Sequence, residues 1–327
     1  MGWWQISADT LAGSRFVLSP LAETFAALRL LESARPSHPG EREWLAAHLP
    51  AHRARLAADP VTALLVRSAL GTVWIADFLT GAPRGGETFE EEVERVRAVP
   101  PATARAHLRV SLRGPLPALL EREDLPDRAA GLLTGVWREA VSPYWARRRR
   151  ILQADVLARV AQVGRGGWAT VLDALGPGTR WLGENRFQVN AHELPPREIS
   201  GAELLFVPVT TQGVGWVSWE GTARYAVVYP CTGALAGVPA AVPASLGALL
   251  GDARARVLVL LGSPMSTSHL VAVTGQRLGS VGRHLRVLRD AGLVERAGRA
   301  GRSVLYARTP AGEVLAEAAR GDGAARS

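Results

Sequence analysis

The sequence contains no lysine: all 38 basic residues among its 327 are arginine. Whole chemistries fall with it. A P-loop lysine, a Schiff-base lysine and a Ser-Lys dyad are each excluded. Cysteine is almost as scarce. Cys231 stands alone, so no intramolecular disulfide can form and a cysteine-rich zinc site is excluded. A reducing compartment fits that usage. The longest charge-free stretch, Tyr225 to Gly251, contains Pro230, Pro239 and Pro243. It reads as a strand, a linker and a helix start, not as a membrane span. The opening Met1–Ser7 has neither a basic n-region nor an apolar h-region. No secretion signal is read there, and a cytoplasmic location is expected.

What is present points to an ordinary globular chain. Apolar residues make up 47% and charged residues 21%, enough for a core, and the length suits two or three domains. An arginine-only, Ala/Gly/Val-rich composition suits a GC-rich bacterial genome, which concerns codons and not function. The charge is unevenly placed. Residues 1–241 hold 26 arginines against 24 acids, whereas residues 242–327 hold 12 against 6. The window 254–308 holds 10 against 2. A short basic domain joined to a near-neutral larger one implies a nucleic-acid-binding module carried by something else.

The patterning predicts a mainly helical α+β chain. Trp3–Ser7 and Arg15–Leu18 read as strands around a turn. Ser19-Pro20 offers an N-cap with proline at the first helical position. Helical patterns cover 41–57, 60–79, 87–98, 101–112 and 126–174, the last interrupted near Ser142-Pro143 and near Gly164–Gly167. From about 180, Trp181–Gly183, Arg186–Val189, Glu203–Val209, Gly215–Trp219 and Tyr225–Tyr229 read as a small antiparallel sheet or a set of hairpins. Thr232–Ala244 reads as a hinge. The expected organisation is a sensor and dimerisation domain over 1–240, a DNA-binding domain over 245–320 and a disordered tail over 321–327.

The C-terminal patterns are the most specific. Leu246 to Leu261 give one or two apolar helices ending at Gly262. Ser263–Ser268 is a turn with Ser266 or Ser268 as cap, and His269–Thr274 is a short helix stopped by Gly275. A helix then runs from about Leu278 to Ala291, burying Val281, Leu285 and Leu288. Leu293–Arg296 and Ser303–Arg308 read as a hairpin with its tip at Ala297–Gly301. Thr309-Pro310 starts a last helix, to about Arg320. Helix, turn, second helix and basic hairpin make a winged helix-turn-helix, whose second helix fits the major groove of B-DNA. Its outward face carries Gly279, Ser280, Gly282, Arg283 and Arg286, and the hairpin carries Arg296, Arg299 and Arg302. Arg277 and His284 complete the candidate DNA contacts. Arginine supplies bidentate contacts to guanine or phosphate.

Val281-Gly282-Arg283-His284-Leu285-Arg286-Val287-Leu288-Arg289-Asp290-Ala291-Gly292-Leu293-Val294, with Gly298–Gly301 and Ser303–Tyr306, closely resembles the recognition helix and wing of ArsR/SmtB-type transcriptional regulators. The resemblance covers Ser245 to Arg320. It implies a homodimer on a palindromic operator, usually acting as a repressor. There are departures: Thr274, Gln276, Arg277 and Leu278 stand where the family has leucine, another apolar residue and a serine cap before proline. Gly282 stands where serine is common. The helix matching the metal-sensing one, Ser266–Thr274, has no cysteine, so thiolate metal sensing is not expected. The first 240 residues resemble the N-terminal half of long bacterial regulators with the same module, through Arg15–Thr24, Leu205–Pro208 and Val228–Pro230. That likeness names no ligand.

Other features admit two readings. All ten tryptophans lie between Trp3 and Trp219; they line a pocket for a hydrophobic small-molecule effector or pack a core and a dimer interface. Arg147–Arg150 reads as a solvated helix face, with an anion contact as its alternative. His48 and His52 have ligand spacing, but Pro50 between them argues against a helix. Cys231 reads as a small buried hydrophobe. No catalytic, cofactor or metal set is read, and the chain is not expected to be an enzyme. The alternatives are an enzyme-like N-terminal domain tethered to DNA, and a winged helix for protein contact or non-specific DNA binding. A deeply buried carboxylate pair, or a carboxylate–histidine pair, would favour the first.

Overall fold

The computed structural model describes residues 2–71, 73–176, 178–192, 194–212, 215–231, 242–262, 265–300 and 303–324. The chain divides into two compact units: Met1–Ala146 with Arg159–Cys231, and Arg147–Ala158 with Thr232–Ser327. Most of the expected hinge, residues 232–241, lies outside the described residues. Among the described residues no helix is long and apolar enough to cross a membrane.

The first unit opens with β1 (Trp3–Gln5), α1 (Ala8–Ala12) and β2 (Arg15–Phe16). The turn expected between these strands is a helix, nucleated where the Ser7 hydroxyl accepts the Thr10 amide. The two strands join different sheets. α2 (Pro20–Ser33) starts as its sequence predicts, with Ser19 accepting the Ala22 amide and Pro20 leading. α3 (Pro39–Ala58), α4 (Pro60–Ala69), α5 (Phe89–Arg97), α6 (Pro101–Leu112) and α7 (Leu125–Val136) follow. The pattern predicts α4 as far as 79, but it ends at Ala69. A Cβ at position 71 would collide with the carbonyl oxygens of Ser111 and Trp74; the chain leaves the helix through this close backbone approach, which only glycine permits. α7 packs against α2, α4, α5 and α6. Leu125, Ala129, Ala130, Leu132, Leu133 and Val136 are all buried, as suits a helix enclosed on most sides.

A π-helical turn at Trp137–Val141 and a 3-10 turn at Ser142–Tyr144 precede α8 (Trp145–Leu172), which is broken at Gly167. Both interruptions fall where the sequence puts them. The arginine run on α8 needs a correction, because Arg148 is buried, not solvated. It belongs to a stripe with Ile151, Leu152, Asp155 and Arg159, all buried and all on one helical face. Burial, then the charges of Arg148 and Arg150, push the Arg147 pKa down to about 10. Pro50 also departs from expectation: it lies inside α3, which continues through it. His52 bonds Glu32 at 2.6 Å and His48 bonds the Tyr144 hydroxyl at 3.3 Å, so the two rings serve separate partners.

β3 (Arg180–Gly183), β4 (Arg186–Gln188), β5 (Arg197–Glu198), β6 (Glu203–Val209), β7 (Trp216–Glu220) and β8 (Arg224–Pro230) complete the unit. In place of one small antiparallel sheet stand two mixed sheets of four strands, ordered β3-β4-β1-β5 and β2-β6-β8-β7. β6 and β8 run parallel from Glu203↔Arg224 to Val209↔Pro230, and β7 pairs antiparallel with β8. The central pair is covered on both faces. Leu204, Phe206, Tyr225, Val227 and Tyr229 face one core, and Leu205, Val207, Val209, Ala226 and Val228 face another. Strands buried on both sides read as continuous apolar runs, which Leu204–Val209 and Tyr225–Tyr229 are.

The second unit contains α9 (Ala244–Leu250), α10 (Asp252–Leu260), β9 (Met265–Ser266), α11 (Thr267–Thr274) and α12 (Leu278–Asp290). β10 (Val294–Ala300), β11 (Ser303–Arg308) and α13 (Pro310–Ala324) follow. The sheet order is β10-β11-β9. Leu246, Val257, Leu258, Leu270, Val281, Leu285 and Leu288 share one core. β10 runs to Ala300, past the expected Arg296, and α13 runs to Ala324, past Arg320. Residues 325–327 of the expected tail lie outside the described residues.

Candidate nucleic-acid interface

The helix-turn-helix is built by local capping. Ser266 caps α11 by accepting the His269 amide at 3.2 Å. Gly275 ends α11 in the left-handed region, φ 70°, with its amide on the Val271 carbonyl. Thr274 stands where the family has leucine, and its hydroxyl fits the turn. It donates to the Leu270 carbonyl at 2.6 Å and accepts the Gln276 amide at 3.3 Å. At the head of α12, Arg277 occupies the cap position, and among the described residues no side chain caps that helix. The first-turn amides are thereby left for another acceptor.

α12 is two-faced. Val281, Leu285 and Leu288 are buried in the core, as their spacing predicts. Arg277, Gly279, Arg283 and Arg286 are exposed, and Ser280, Gly282 and His284 are half-buried. Neither Arg283 nor Arg286 has an acidic partner among the described residues. His284 sits toward the flank. Burial, then the nearby Arg254 and Arg283 charges, hold its ring below the usual histidine pKa, so it offers neutral hydrogen-bonding atoms at neutral pH. Arg296 is exposed on β10, beside a register shift in the β10–β11 ladder. The Arg299 backbone lies in β10, but its side chain and all of Arg302 lie outside the described residues. Two further residues join this surface: Leu278 is 61% and Val287 41% exposed. Leu278 continues the buried stripe by spacing, yet no core partner reaches the start of the helix. Apolar groups here suit thymine methyls. β9, which pairs with β11, is too short for any sequence pattern to announce.

Gly279 and Gly282 are not demanded by the fold, since a Cβ at either position would meet nothing within 4 Å. Each weakens the helix by about 0.5–1 kcal/mol relative to alanine. The open space at both positions would admit a DNA backbone or base edge at close approach. Gly282→Ala is therefore expected to raise the melting temperature of the protein while lowering DNA affinity. Unchanged affinity in this stabilised variant would remove the glycines from the interface.

The first unit holds a cavity of about 350 Å³. Trp3, Trp74, Trp216 and Trp219 are among its walls, whereas Trp137 stacks on Phe89 and Trp168 on Phe16 and Phe206. Some tryptophans thus line the cavity and others pack within the cores. Cys231 is buried, and its carbonyl accepts the Gln212 side-chain amide. Buried carboxylates and a His52–Glu32 pair are present, the features an enzyme needs. Glu23 and Glu41, however, accept the backbone amides of Thr210 and Gln212. None of these groups lines the cavity: the two glutamates tie backbone amides, and the His52–Glu32 pair joins α3 to α2.

A family model described as bacterial regulatory protein, arsR family, matches residues 253–296. The match spans α10, β9, α11 and α12 and enters β10. No curated protein and no solved structure matched the chain. The C-terminal unit therefore carries an arsR-family regulator domain over residues 253–296, with a long N-terminal region before it.

Proposed function

We propose that the protein is a homodimeric, ligand-responsive transcriptional regulator, acting as a repressor in the cytoplasm. Residues 1–240 sense and dimerise, and residues 245–320 bind double-stranded DNA. The observation that carries this reading is the outward face of α12, where Gly279, Gly282, Arg283 and Arg286 lie opposite a fully buried stripe. Arg283 and Arg286 contact bases and phosphate, with Ser280 between them and the backbone. Arg277 and His284 flank them, and Arg296, Arg299 and Arg302 reach the duplex from the wing. Leu249 on α9 and Val314 on α13 are each 66% exposed, on helices that pack together. A second copy would cover them, adding a winged-helix contact to the dimer formed through residues 1–240. Effector binding shifts the regulator by its differential affinity for two states.

The test is an anisotropy titration of the full chain on its own upstream DNA and on a scrambled duplex, at two salt concentrations. A genome-wide binding selection supplies further duplexes. A preference of roughly a thousandfold for a selected site, with steep salt dependence, is expected. Equal binding to every duplex would sink the specific-regulator reading. The double variant Leu249→Glu, Val314→Glu is expected to weaken the dimer in sedimentation and to bind the operator more weakly. A wild-type monomer on DNA would sink the dimer.

A further inference from the structure

The charges in the cavity of the first unit distinguish one class of ligand from the others. Its described charged lining consists of Arg29, Arg197 and Asp77, with His192 exposed at its edge. Arg197 lies 3.9 Å from the centre of the Trp219 ring, and Asp77 is the acid that feels its charge. Asp77 also accepts the Trp74 indole N–H at 3.1 Å. Burial raises its pKa to about 6 against the Arg197 charge, so at neutral pH a carboxylate lies within range of Arg197, although the two form no ion pair. Arg29, on α2, is different. Its guanidinium lies 5.9 Å from the Trp216 ring centre and donates to the Gly215 carbonyl at 3.3 Å. Among the described residues it has no carboxylate partner, and burial depresses its pKa. A half-buried guanidinium that stays protonated is costly without an anion.

We infer that this cavity is the effector site and takes a planar aromatic carboxylate, its ring among Trp74, Trp216 and Trp219 and its carboxylate on Arg29. The inference rests on the ligand-responsive reading above and supplies its chemistry. Offset and edge-on aromatic contacts favour a flat ring; Trp74 and Trp219 are already edge-to-face at 5.5 Å, as are Phe25 and Trp216 at 5.3 Å. A guanidinium fork matches a carboxylate in two parallel hydrogen bonds. A cationic ligand would meet two arginines against one aspartate. A neutral one would bury Arg29 further and leave it unpaired. The volume lies at the small end of the range for small-molecule sites.

Calorimetry and tryptophan fluorescence on the full chain provide the test. The probes are benzoate, 2-naphthoate and indole-3-acetate, each with its neutral amide and its amine counterpart. At least one acid is expected to bind about tenfold tighter than its amide, and the amines least. Arg29→Met is expected to erase the preference for acid over amide, and Arg29→Lys to keep part of it. The acid–amide comparison on the wild-type protein needs no variant, so a misfolded variant does not blunt the test. The assignment is overturned if no acid binds at about 1 mM, if amides or amines bind as tightly as acids, or if folded Arg29→Met retains the preference. Operator anisotropy runs in parallel. Acid binding without any effect on DNA would leave the site standing and remove the ligand-responsive reading; specific DNA binding without acid binding would do the reverse.

Discussion

Arg283→Ala is expected to remove most of the protein's preference for its operator and to leave the fold unchanged. The side chain is exposed on α12 and has no acidic partner among the described residues, so no intramolecular contact accounts for it. Alanine is also the better helix former, and the variant should melt no lower than the wild type. A bidentate arginine–guanine contact contributes about 1–3 kcal/mol of discrimination. The proposed dimer would lose two such contacts, so a drop of about thirtyfold or more in the ratio of specific to scrambled binding follows. Arg296→Ala supplies the contrast. An arginine that touches only phosphate weakens binding to all sequences alike and lowers the salt slope by about one. A folded Arg283→Ala protein with the wild-type preference would refute the placement of this face in the groove.

Arg308→Met is expected to destabilise the winged-helix unit by about 3 kcal/mol. This arginine was counted with the basic window, yet its side chain is only 3% exposed. Its Nε donates to the Leu258 carbonyl at 2.8 Å, another guanidinium nitrogen donates to the Val259 carbonyl, and a third pairs with Glu313 at 3.0 Å. It therefore closes the C-terminal end of α10, where carbonyls lack partners and the helix dipole favours a cation. Methionine keeps the stem but leaves those buried carbonyls without their charged donor. Hydrogen bonds to charged groups contribute about 1.5–3 kcal/mol each, against a total stability of about 5–15 kcal/mol for a domain. Thermal melts and hydrogen exchange of α10 amides measure the loss, with Arg286→Met as the exposed control. A difference under about 0.5 kcal/mol would mean that water replaces Arg308 at these carbonyls.

The contrast between Arg283 and Arg308 shows how far a count of charges reaches. Both belong to the excess of arginine in residues 254–308; one lies on the outer face of α12 and the other is buried against the C-terminal end of α10. Arg148 gives the same lesson on α8, where a four-arginine run is not all solvated. Periodicity located Val281, Leu285 and Leu288 because their partners sit on a helix whose own spacing selects the buried face. It did not locate Arg308, which reaches carbonyls 49 and 50 residues away.

The sequence by itself determined the winged helix-turn-helix and its candidate DNA face. Its caps, its glycine stop at Gly275 and its apolar stripe are local signals, read within a few residues. It also marked the ends of most N-terminal helices, at Ser19-Pro20 and Pro100-Pro101, where proline chemistry acts on the next residue. Only the tertiary structure decided the sheets, since β2 pairs with β6 through Arg15↔Leu205 and β1 with β4 through Trp3↔Gln188. Nothing local distinguishes such partners from other short apolar runs. The cavity was decided the same way. Arg29 and Trp216 come from distant parts of the chain, and only the fold brings them together and leaves Arg29 without a carboxylate partner among the described residues.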